Sequence, residues 1–103
     1  MNVMMTIDGM IYDLLQMKCK GGVCALHWCE KVNIMLNLIE NNSKELMGKE
    51  LYVRKLINLL VSIKDNKQTQ PLTKQNIDTV INTLFHILDE TRAEAWAKFK
   101  SGQ

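Results

Sequence analysis

Breakers are scarce in this chain of 103 residues: a single proline, Pro71, and five glycines. A protein of many short strands needs more turn residues than that, so the scarcity favours long helices. Aromatics make up only 6% of the sequence. The β-branched residues are interrupted by Leu, Met, Lys and Asn, which leaves little strand chemistry. No apolar run approaches the roughly 18 residues that span a bilayer. The longest, Leu56 to Val61, is broken by Asn58. The opening "MNVMMTIDGMIYDLL" is apolar, but no basic residue precedes it and Asp8 interrupts it, so it does not read as a secretion signal. A net charge of +2 is too small to argue for nucleic acid by itself. These absences lead to the expectation of a soluble cytoplasmic protein, where cysteines stay reduced and an odd count is ordinary.

What is present is enough for one core. Apolar residues are 47% and charged residues 23% of the chain, a balance that argues against a disordered chain. The expectation is one helical domain over 1–103, near the lower end of self-sufficient size. Eleven of the thirteen basic residues are Lys, and Ile and Asn are plentiful. These residues have AT-rich codons, which suggests a bacterial, phage or mobile-element source.

Apolar periodicity predicts four helices, over about 6–20, 23–40, 48–64 and 74–100. In the first, Thr6 or Asp8 is the expected cap, and Ile7, Met10, Ile11, Leu14 and Leu15 recur at three- and four-residue steps. Gly21 and Gly22 follow Lys18 and Lys20, as at many helix ends. In the second, Ala25, Trp28, Cys29, Val32, Met35, Leu36 and Ile39 share one side. "ENNSK" then breaks the pattern, with Ser43 as the next cap and Lys44 to Met47 as a separate turn. Tyr52, Val53, Leu56, Leu59, Leu60 and Ile63 form the third stripe. Thr73 is the expected cap of the last helix, whose stripe is Ile77, Val80, Ile81, Leu84, Leu88, Thr91, Ala95 and Phe99. Long helices with short connections predict an all-α, up-and-down four-helix bundle.

"KCKGGVCALHWCEK" holds all three cysteines and one of two histidines. As a metal site it would need Cys19, Cys24, His27 and Cys29 to converge, in a spacing that matches no common zinc pattern. Cys29 points roughly 160° away from His27 on a helix, so all four meet only if the helix unwinds. As a redox pair, Cys19 and Cys24 would bridge the glycine turn beside Lys18 and Lys20. A plain helix–helix turn with a buried Cys29 is the simpler expectation. "CKGGVC" lacks the lysine and hydroxyl of a phosphate-binding loop. His86 has Asp89 and Glu90 nearby, but no nucleophile or oxyanion site accompanies it, and no enzyme or cofactor is expected. Glu45–Lys49, Glu50–Arg54 and Glu94–Lys98 have the favourable acid-before-base order of a solvated helix surface.

Surplus apolar surface is the functional signal. Ile34 and Leu38 lie away from the main stripe of the second helix, and Phe85 and Trp96 widen the apolar arc of the last to about 180°. Phe85, Arg92, Trp96 and Phe99 line one flank there, with Lys98 and Lys100 near the end. Two placements are open for Trp96 and Phe99: packed on the first helix, or offered to a partner. The expected function is a small non-enzymatic protein-binding module, an inhibitor, immunity protein, adaptor or chaperone that covers a protein partner. A homodimer is one form of that expectation. A nucleic-acid-binding regulator acting through Lys44, Lys49, Arg54 and Lys55 is the alternative, and a sensor built on the cysteine cluster the third.

Overall fold

The computed structural model describes residues 2–16, 22–66, 69 and 71–101, side chains included except at 22–28 and 101. Four long helices and one short one account for nearly all of them: α1 (Val3–Leu15), α2 (Gly22–Asn41), α3 (Ser43–Met47), α4 (Glu50–Asp65) and α5 (Pro71–Ser101). No strand occurs among the described residues. The all-α bundle expected from the apolar stripes is the fold.

The local signals act slightly upstream of where the sequence placed them. α1 starts at Val3, not near Thr6, because the Asn2 side chain accepts the Met4 amide at 3.0 Å. α3 is the separate turn anticipated for Lys44 to Met47, with Asn42 rather than Ser43 at its cap position. The Asn42 side chain donates back to the Leu38 carbonyl at 2.8 Å and so finishes α2. α5 begins at Pro71, whose fixed φ and missing amide hydrogen suit a first helical residue. Thr73 is therefore inside the helix, fully buried, with its hydroxyl 3.4 Å from Cys29 Sγ. The α4–α5 connection is tied by Thr69, whose buried hydroxyl donates to the Ile63 carbonyl at 2.6 Å.

One core holds the bundle together. Val3, Ile7, Ile11 and Leu14 of α1 meet Val32, Met35 and Ile39 of α2, Leu46 of α3, Val53, Leu56, Ile57, Leu60 and Ile63 of α4, and six residues of α5 from Ile77 to Leu88. Val3, Leu46, Ile57 and Ile87 join the expected set. Leu15, Ala95 and Phe99 leave it, since all three are exposed. A fully buried Leu or Ile contributes about 1.5–3 kcal/mol by its removal from water, so the core outweighs every surface contact described here.

Around the bundle the order is α1, α2, α5, α4: α5 packs between α2 and α4, and α1 touches those two from the other side. α4 and α5 are antiparallel, with Lys64–Asp78 (2.7 Å) near one end and Arg92–Glu50 (3.3 Å) near the other. α2 and α5 run the same way, since Cys29 meets Thr73 near their starts and α3, which follows α2, meets α5 at Thr91. Lys31–Asp13 (3.0 Å) joins α2 to the end of α1. The Tyr52 hydroxyl joins α4 to α1, shared between Asp8 Oδ1 at 2.9 Å and the Met4 carbonyl at 3.0 Å. Burial, followed by the Asp8 hydrogen bond, pushes this phenol well above its ordinary pKa, so it stays a donor.

Candidate docking surface

The length mismatch between α4 and α5 creates the main surface feature. α5 has 31 residues and α4 has 16. In the antiparallel pairing Arg92 already lies opposite Glu50, the first residue of α4. Beyond it, among the described residues, α5 has no long helix across from it. Thr91 is its last partly buried residue, with its hydroxyl shared between the Met47 carbonyl at 2.6 Å and the Ile87 carbonyl at 2.8 Å. Every residue from Arg92 to Lys100 is exposed. The last turns of α5 therefore form an arm, and the molecule is drawn out to 59 × 27 × 17 Å.

The arm is apolar on one side. Trp96 and Phe99 are 59% and 61% exposed, and their rings stack with centroids 5.7 Å apart. Lys100 Nζ lies 5.3 Å from the Trp96 ring centre, a cation–π contact. Arg92, Ala95, Trp96 and Phe99 line a shallow depression along the arm. It continues into a groove of about 260 Å³ between α4 and α5, lined by Arg54, Ile57, Asn58, Phe85, Leu88, Asp89 and Arg92. Phe85, 49% exposed, forms one wall. A second recess, where α3 meets the arm, is lined by Met47, Thr91 and Ala95 with Lys44 and Lys98 at its edge.

Glu50 organises the junction of groove and arm. Its Oε1 accepts from Arg92 Nε and from Arg54 Nη2, each at 3.3 Å. The Arg92 hydrogen bond first, then the Arg54 one, hold the Glu50 carboxyl below its ordinary pKa of 4.5, so it is ionised at neutral pH. Arg92 is thus oriented rather than loose, with its guanidinium beside the aromatic stripe.

Of the residues singled out from sequence, Phe85, Arg92, Trp96 and Phe99 come together on this one surface. Trp96 and Phe99 do not pack on the first helix, since both rings are more than half exposed and no backbone of α1 comes close to α5 among the described residues. Ile34 is exposed and Leu38 partly buried on α2, and neither lines the groove. Ile57 and Asn58 of α4 complete the groove and were not singled out. Their register opposite Phe85 and Leu88 follows only from the pairing of α4 with α5. Lys44, Lys49 and Lys55 are exposed, while Arg54 is engaged by Glu50. The Glu94–Lys98 pair also forms, at 3.9 Å. His86 is exposed.

In the cysteine-rich stretch, Cys19 lies outside the described residues, as do the side chains of Cys24 and His27. Cys29 is buried against Thr73. No cluster of metal-binding side chains occurs among the described residues. None of their helices is long and apolar enough to cross a membrane. No family model, curated protein or solved structure matches the chain.

Proposed function

We propose that this protein is a small non-enzymatic binding module, of the inhibitor, immunity, adaptor or chaperone kind, that works by covering a protein partner. The observation that carries the reading is the continuous stripe of Phe85, Arg92, Trp96 and Phe99, running from the α4–α5 groove onto the α5 arm. Aromatic side chains bury large area while losing few rotamers on binding. Trp and Arg are the types that most often dominate interface energetics, and Phe is enriched beside them. A contiguous apolar patch of this kind is a typical site of association.

Trp96→Ala tests the reading. Association is expected to be lost while thermal stability stays within about 0.5 kcal/mol of the parent, as for a surface change. Ile34→Ala, off the stripe, should leave association intact. A loss of about 3–5 kcal/mol in Trp96→Ala would identify a core residue instead and end the proposal. Binding that collapses steeply with salt would favour the nucleic-acid alternative.

A further inference from the structure

We infer that the occupant of this surface is a second copy of the chain, with the two α5 arms antiparallel about a two-fold axis level with Glu94. The inference rests on the docking role proposed above and adds the identity of the partner. It comes from the order of side chains around the arm. At 100° per residue, Phe85, Arg92, Trp96 and Phe99 fall within about 60° of one another. Leu88 and Ala95 border that stripe on one flank, and Asp89 and Lys100 on the other.

A two-fold axis that reverses one helix against another brings each flank onto the same flank of the copy, and makes every contact occur twice. With the axis level with Glu94, Arg92 comes opposite Trp96 of the second copy, a cation facing a ring. Leu88 comes opposite Phe99 of the second copy, and Asp89 opposite Lys100 of the second copy. Ala95 lies beside the axis, where a small side chain allows close approach. All these pairings are attractive. Sliding the register towards the bundle until the axis reaches Arg92 would set Arg92 against itself. Sliding it outward by a turn would withdraw Leu88 and Asp89 from their partners.

The groove supplies an independent fit. Phe99 of the second copy arrives at Leu88 and Asp89, both of which line the 260 Å³ groove against Ile57 of α4. The area is of the right order as well. Trp96 and Phe99, 59% and 61% exposed, offer roughly 270 Å² per copy. With Arg92, Ala95 and the flanking Asp89 and Lys100, two copies reach about 1,000 Å², the lower end for a specific interface. The pair is therefore a reversible one.

Charge exchange at Asp89 and Lys100 tests the geometry, read as molar mass by light scattering across a concentration series. The parent chain is expected to rise from the monomer mass to twice that value. Asp89→Lys alone and Lys100→Asp alone each place like charges in both pairs, and each should dimerise at least about tenfold more weakly. An equimolar mixture of the two variants restores both ion pairs in a heterodimer and should recover the parent behaviour. Single variants as dimeric as the parent, or a mixture no better than its components, would overturn the arrangement. So would a parent chain that stays monomeric throughout. If that chain still captures a different protein through Trp96, the docking role survives without self-pairing. An unfolded Trp96→Ala chain would remove both.

Discussion

At the scale of single residues, the contact between Cys29 and Thr73 shows how a polar group is accommodated in an otherwise apolar core. Thr73 is 1% exposed, and the Cys29 thiol is 3.4 Å from its hydroxyl. A buried hydroxyl that loses its partner costs about 1–3 kcal/mol, whereas replacing both members by apolar groups of similar shape is nearly neutral. Cys29→Ala should therefore destabilise the protein by about 1–3 kcal/mol, part of it from the cavity left by sulfur. In Thr73→Val, by contrast, the hydroxyl itself is gone. The double variant Cys29→Ala/Thr73→Val should be more stable than the sum of the two single effects implies, and denaturant melts of the four proteins measure that coupling. Strict additivity would mean that the hydroxyl already has another partner.

Within elements, local propensity and tertiary contact give different answers in α1. Gly9 sits in the exposed middle of that helix, and a Cβ placed on it would meet nothing within 4 Å. Gly9→Ala should raise stability by about 0.5–1 kcal/mol, through helix propensity and a less flexible unfolded chain. A thermal melt showing destabilisation would mean that a partner approaches the α1 surface at Gly9. Element registers were largely legible in the sequence, because a stripe such as Val53, Leu56, Leu60 and Ile63 repeats with the helical period. Element starts were not. Thr6 and Thr73 have the chemistry of caps, but Asn2 and Pro71 lie upstream and take the ends. Thr73 is then drawn inward to meet Cys29, a contact across 44 positions that no local pattern reveals.

For the molecule as a whole, periodicity shows which face of a helix is apolar but not how far along its length another element covers that face. Ala95 and Phe99 continue the core period of α5, yet they are exposed because α4 ends its coverage at Glu50. The candidate surface was thus legible as a set of residues, Phe85, Arg92, Trp96 and Phe99. Its continuity with the α4–α5 groove was not, since that needs the antiparallel pairing of the two helices. The ring order α1, α2, α5, α4 was equally hidden, because chain order alone does not say which helices become neighbours.

The bond from Thr91 to the Met47 carbonyl and the neighbouring Arg92–Glu50 pair mark where α5 passes from the bundle into its exposed arm, and this has a consequence in time. Amides before Thr91 open only when the core opens, whereas an exposed helix end frays at little free-energy cost. Deuterium uptake should therefore change abruptly along α5: slow through Leu84 and Leu88, fast from Trp96 to Lys100. In a self-pairing chain the fast segment should slow as protein concentration rises, while the slow one stays constant. Mass-spectrometric exchange at two concentrations would read both segments from one sample. Uniform protection to Lys100 in dilute solution would mean that the arm is held by contacts within its own chain.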